Sequence, residues 1–186
     1  NIKFSVISNA SLIWQDRVRE MLKMADWVSL KVDSVDEAIW RTINRPCEGL
    51  ALDQILSGMQ MFAKDFTGTL ATETMLLDGI NTGHDTVMHL GAFLQTLAPH
   101  KIYLAIPTRP TAEKTARAPD IELINAVYQT LNQTLTGIEL LTGYEGNAFA
   151  STGNFADDLL AITAVHPMRK DAVLNLLDKT GGDWSD

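Results

Sequence analysis

The chain has 186 residues, one cysteine, 46% hydrophobic residues and a formal net charge of −8. A chain of this length buries roughly 70% of its unfolded surface and needs no disulfide or structural metal to fold, while one thiol, Cys47, makes neither an internal disulfide nor a Cys-rich zinc or iron–sulfur site. The negative charge argues against a broad nucleic-acid-binding face, no apolar run approaches the roughly 18–20 residues of a membrane span, and no N-terminal signal pattern stands at the start, so the cytoplasm is the expected compartment.

IKFSVI (residues 2–7) reads as a strand. Residues 14–25 follow as a helix, with Trp14, Val18, Met21, Leu22 and Ala25 on one face. WVSLKV (27–32) is a second strand. Ser34 stands three residues before Glu37, a capping-box spacing that predicts a helix over 35–44, which Pro46 ends. The stripe Leu52, Ile55, Leu56, Met59, Phe62 and Phe66 predicts a helix over 50–66. TLATETML (69–76) is a third strand. Thr82 is placed to cap a helix running to residue 98, and KIYLAI (101–106) is a fourth strand. A long loop, 107–119, leads to a helix over 120–135. IELL (138–141) reads either as a short fifth strand or as loop. Residues 142–154 read as loop, and helices are expected over 155–165 and 168–179.

Strands alternating with helices imply crossover connections, hence a parallel sheet with helices packed on it. The first strand begins at residue 2 without a lead-in, and four strands are too few to close an eight-stranded barrel. Two architectures stay open on periodicity: a piece of a larger barrel, or a small doubly wound domain that starts abruptly.

Ligands of α/β folds bind at the C-terminal ends of the parallel strands. That rule selects Ser8 and Asn9 after the first strand, and Ser29, Lys31 and Asp33 at alternate positions of the second, all pointing to one side. Strand three carries Glu73, with Thr72 and Thr74 on the opposite side. Strand four ends in Pro107, Thr108, Arg109 and Pro110. Lys31 interrupts an otherwise apolar strand, and a shielded ammonium needs an acceptor, which Glu73 on the adjacent strand can supply. A structural ion pair is the competing reading. Arg109 sits in a loop with Lys114 and Arg117, whose charge suits a carboxylate or phosphate. His84 and His89 lack the spacing of a ligand pair on one helix face, and no nucleophile elbow, phosphate loop or dinucleotide fingerprint is present.

SNASLIW (8–14), VSLKVDSVDEAIWRTINRP (28–46), TETMLLDGIN (72–81), YLAIPTRP (103–110), LLTGYEGNAFASTGN (140–154) and ITAVHPMR (162–169) together resemble the radical S-adenosylmethionine superfamily. More narrowly they resemble its iron–sulfur oxidoreductases grouped with the wyosine-synthesis and molybdenum-cofactor-type enzymes. The resemblance implies a partial (βα)6 barrel whose first strand is followed by a CxxxCxxC loop holding a [4Fe-4S] cluster. The strands here would be the third to sixth, so the chain is expected to be a fragment without the cluster-binding part. Residues 1–136 would be the second half of the barrel, 137–165 a loop and helix closing it, and 166–186 the start of a helical module.

By the same resemblance, Ser8 and Asn9 lie near the methionine and ribose parts of the cofactor. Ser29, Lys31 and Asp33 help bind its carboxylate and ribose, Glu73 and Thr74 match the next strand, and Ile106 and Pro107 meet the adenine. Arg109 is the candidate substrate-orienting residue. The intact protein is expected to cleave S-adenosylmethionine reductively and start radical chemistry, with this chain alone inactive. The alternatives are a barrel-type lyase using Lys31 as a Schiff-base nucleophile, and a non-enzymatic module whose loops 107–119 and 142–154 bind a partner. A tRNA substrate is implied by the resemblance alone and opposed by the charge. An exposed sheet edge predicts self-association.

Overall fold

Short runs of β-branched and apolar residues alternate with apolar stripes at i, i+3 and i+4, and the chain folds accordingly. The computed structural model describes residues 2–113, 115–141, 153–165 and 168–181. The elements in order are β1 (Ser5–Ser8), α1 (Asp16–Leu22), β2 (Trp27–Lys31), α2 (Glu37–Asn44), α3 (Leu52–Asp65) and β3 (Thr69–Met75). They continue as α4 (His84–Leu97), β4 (Lys101–Ala105), α5 (Ile121–Asn132), β5 (Ile138–Leu141), α6 (Phe155–Val165) and α7 (Lys170–Thr180).

The five strands form one parallel sheet in the order β1-β2-β3-β4-β5. A doubly wound sheet reverses its order at a switch point, and this one does not. Of the two architectures that periodicity left open, the sheet therefore has the topology of a barrel segment. IELL is its fifth strand, paired with β4 from Ile102↔Ile138 to Ala105↔Leu141.

Side chains alternate across the sheet. Val28, Leu30, Val32, Leu70, Leu76, Ile102 and Leu104 join one core with Ile55, Met59, Phe62, Val87, Leu90, Leu94, Val127 and Leu131 from α3, α4 and α5. α3 packs beside α4 and α4 beside α5, so these helices share one face of the sheet. The other face carries Ile7, Lys31, Glu73, Tyr103 and Glu139, all exposed or half-exposed. The register sets Lys31 beside Glu73, Glu73 beside Tyr103 and Tyr103 beside Glu139.

Several local expectations are corrected. Asp36, not Ser34, caps α2: its carboxylate accepts from Ala38 N and Ile39 N, while Ser34 Oγ accepts from Asp36 N one step earlier. A charged oxygen at the positive end of a helix is the stronger acceptor. Gly83, not Thr82, precedes α4, and Thr82 is buried in the preceding turn. Trp14 is exposed rather than inward, because residues 11–14 form turns and α1 begins only at Asp16, and Met21 is exposed because α1 buries Arg19 and Leu22 instead.

That turn is held from two sides. Arg19, buried, donates from Nη1 to Ile13 O at 2.9 Å and to Trp14 O at 2.8 Å, and its Nη2 pairs with Asp16. From α3, Gly58 lies so near that a Cβ there would stand 2.7 Å from both Ile13 O and Trp14 N.

The described residues of 107–116 and 143–186 form a second unit. In its described part α6 packs on α7, and Ala172, Leu176 and Leu177 are buried. Lys114, residues 142–152 with the GYEG stretch (143–146), His166, Pro167 and residues 182–186 lie outside the described residues.

Two outcomes follow from this packing. Gly58→Ala forces α3 away from the turn after β1 and is expected to cost about 1–3 kcal/mol, read by urea denaturation. Among the described residues β1 pairs only with β2, and Ile7 on it is 76% exposed. We therefore expect the 186-residue chain to self-associate in sedimentation velocity. A monomer whose β1 amides exchange freely contradicts this.

Candidate functional site

At the C-terminal end of the sheet, β2 runs into Asp33 and β3 into the turn over residues 76–81. The Asp33 side chain has no exposed surface. Its Oδ1 accepts from Met75 N at 2.8 Å and lies 3.1 Å from Lys31 Nζ. Its Oδ2 accepts from Asn44 Nδ2 at 2.8 Å. A buried carboxylate is tolerated only when answered in this way.

Asn81, buried, completes the joint. Its Nδ2 donates to Asp33 O at 2.9 Å and to Met75 O at 2.8 Å, and its Oδ1 accepts from Leu77 N at 2.8 Å. Val32 N donates to Glu73 O at 2.9 Å, and Thr74 Oγ1 donates to Val32 O at 2.7 Å. The ends of β2 and β3 are thereby locked together just where a ligand would meet them.

Lys31 stands on the open face, 28% exposed, with Glu73 Oε1 at 3.6 Å and Glu73 itself 32% exposed. The sequence-based pairing of these two residues is thus present, and Asp33 adds a second carboxylate. Both contacts are ion pairs, the one to Glu73 beyond hydrogen-bond distance, and a partly exposed ammonium with three donors can still meet a ligand. Asn9, Lys31, Asp33, Ser34 and Asn44 line one small pocket at this end.

Ser8 and Asn9 organise the loop after β1. Ser8 Oγ accepts from Ala10 N at 3.0 Å, and Asn9 Oδ1 accepts from Ser11 N at 3.1 Å. Ala10, buried, has φ of 60°, a left-handed conformation that an L-residue adopts at a cost. Ser29 is buried on the Lys31 side of the sheet. Thr74 lies on the opposite side, among the helices, and Ile106 packs against the core. Pro107 and Arg109 belong to the second unit. His84, His89 and Cys47 are exposed.

Lower on the open face Lys101 and Glu139 form an ion pair across β4 and β5. The hydrogen bond to Glu139 raises the Lys101 pKa above the ordinary lysine value of 10.5. Asn44 and Asn81 were given no role by sequence reasoning. In sequence Asn44 is an ordinary helix-end residue and Asn81 an ordinary turn residue. Their signal is burial, which no spacing reports. Among the described residues no group of three or more His, Cys, Asp or Glu is placed to hold a metal ion, and no helix is long and apolar enough to cross a membrane.

No family model matches the chain. It is 44% identical over 182 residues to a UPF0026 protein of Methanocaldococcus jannaschii, covering 97% of this chain and 57% of the relative. The chain thus spans a little over half the length of that curated relative. Its fold is similar to a domain of pyruvate-formate lyase-activating enzyme from Bacteroides vulgatus, with a TM-score of 0.60 and 18% identity over 75% of this chain and 81% of that one. A radical SAM methyltransferase from Sphaerobacter thermophilus gives a TM-score of 0.61 at 16% identity, over 76% of this chain and 40% of that one. Streptococcus suis SuiB bound to S-adenosylmethionine gives 0.52 at 14% identity, over 81% of this chain and 36% of that one. The fold is therefore the parallel partial barrel found in these enzymes.

Two measurements check the site as built. Asp33→Ala leaves Asn44 Nδ2 and Met75 N without their acceptor and Lys31 with Glu73 alone, and is expected to destabilise the fold by about 3 kcal/mol, read by urea denaturation. Nζ of Lys101 should titrate above 10.5, and Glu139→Gln should bring it back toward that value by NMR. Because the folded pKa is raised, the pair's stabilisation is complete below 10.5 and is lost as pH climbs past the folded value.

Proposed function

We propose that this chain forms the later strands of the barrel of a radical S-adenosylmethionine enzyme and holds part of that cofactor at the C-terminal ends of its strands. The observation that carries the reading is the Lys31–Asp33–Glu73 cluster, set at the ligand end of a sequentially ordered parallel sheet on the face its helices leave open.

The [4Fe-4S] cluster does not fit the residues present. It needs several thiolates, and the chain has one cysteine, Cys47, exposed and remote from Lys31 in sequence. Cluster ligands would come from residues of the intact protein outside these 186, and no step of the reaction is assigned to this chain through the cluster.

The side chains at this end are chemically suited to S-adenosylmethionine. Its carboxylate suits the partly exposed ammonium of Lys31, and its ammonium and hydroxyls suit the carboxylate of Glu73 and the amide of Asn9. Ser29, on the same side of β2 as Lys31, belongs with Lys31 and Asp33 to the part proposed to meet the carboxylate and ribose, and Ile106 with Pro107 follows β4, where backbone would meet the adenine. When bound, the cofactor supplies the radical chemistry, and the protein supplies orientation and exclusion of water. Arg109 is the residue proposed to orient a substrate.

The lyase alternative is less well supported, because a Schiff-base lysine attacks through a free lone pair and Lys31 Nζ is engaged by two carboxylates.

The test uses the intact protein, purified without oxygen and reconstituted with iron and sulfide. It is expected to show a cluster signal in electron paramagnetic resonance and to bind S-adenosylmethionine in calorimetry, with Lys31→Met weakening binding roughly tenfold or more. An intact sequence without three closely spaced cysteines overturns the reading. So does failure of the reconstituted protein to bind the cofactor.

A further inference from the structure

Asn44 is the last residue of α2, and Arg45 after it turns the chain with φ of 46°. A carboxylate only accepts hydrogen bonds, so the side of the Asn44 amide that meets Asp33 has to be its NH2 group. The amide oxygen is then committed to the other side. It is buried there and has no hydrogen-bond partner among the described residues. An unanswered buried acceptor weakens the fold, so packing alone does not explain an asparagine at this position. What the residue does accomplish is visible in its contact. It occupies Asp33 Oδ2 at 2.8 Å, Met75 N fixes Oδ1 at 2.8 Å, and Oδ1 is the atom that holds Lys31 Nζ at 3.1 Å. Asn44, Lys31 and Asp33 line the same pocket.

We propose that Asn44 is a positioning residue: it locks the rotation of the Asp33 carboxylate, which in turn sets where the Lys31 ammonium stands at the mouth of the site. The role extends the function proposed above and rests on it for the identity of the ligand, although the contact with Lys31 does not. Helix α2 and the turn after it thereby become part of the binding apparatus without touching the ligand. A locked partner behind a binding group commonly matters by roughly 10–100-fold in affinity.

The experiment uses the intact, cluster-loaded protein and two readouts. The first is the dissociation constant for S-adenosylmethionine by calorimetry. The second is the acylation rate of Lys31, relative to Lys101 in the same molecule, by mass spectrometry. Asn44→Ala is expected to weaken cofactor binding roughly tenfold and to add little in a Lys31→Met background, since it acts through Lys31. It should raise Lys31 labelling several-fold while Lys101 stays unchanged. Gln129→Gly, on the exposed side of α5, loosens a helix that contributes no residue to the site and should do neither. A weakening fully additive with Lys31→Met, or Lys31 labelling unchanged by Asn44→Ala, overturns the proposal. Wild-type protein that binds no S-adenosylmethionine overturns the functional reading instead, and the labelling still decides the role of Asn44.

Discussion

A carboxylate with no exposed surface has to be met by donors, and the architecture around the site is organised by meeting that demand at Asp33. The donors come from three places: the backbone of β3, the end of α2 and the side chain two residues back on β2. Each contact fixes a different piece of the molecule. The Met75 contact ties two strands at their ends, the Asn44 contact docks a helix, and the Lys31 contact aims a charge. The backbone of Asp33 takes part too, through the amide of Asn81, which also pins the turn leading toward α4. One buried acid thus couples fold and site closely enough that neither can be altered alone.

Much of this was legible beforehand, and for identifiable reasons. A lysine inside an apolar strand is rare enough to announce a partner, and parallel register put Glu73 beside it. Alternation along WVSLKVD (27–33) assigned Ser29, Lys31 and Asp33 to one side. Strand and helix order followed from periodicity, except that IELL stayed open between strand and loop until its pairing with β4 decided it. The helix starts were harder, because Ser34 and Asp36 both satisfy cap chemistry and only the geometry of the entering chain chooses between them. Asn44 and Asn81 were invisible for a different reason. An asparagine in a turn or at a helix end is ordinary in sequence, and its importance lies in what closes over it. Trp14 misled because an apolar stripe was extended through residues that turn instead of coil.

The two faces of the sheet solve different problems. The helix side is closed by aliphatic packing, with Thr74 admitted because its hydroxyl finds the Val32 carbonyl. The open side carries its charge in matched sets, Lys31 with Asp33 and Glu73, Lys101 with Glu139. A chain with net charge −8 therefore presents short-range fields there instead of one broad potential. Recognition on such a surface depends on contact geometry more than on long-range attraction.

Strand order bears on how the molecule assembles. Each strand pairs with the strand next to it in the chain, so every pairing is closed by a single intervening helical connection. No pairing has to wait for a distant segment to arrive. The entropy of loop closure is met in modest, similar steps, and contact order stays low for an all-parallel sheet. Such a sheet can grow by adding one strand at a time onto an already ordered edge.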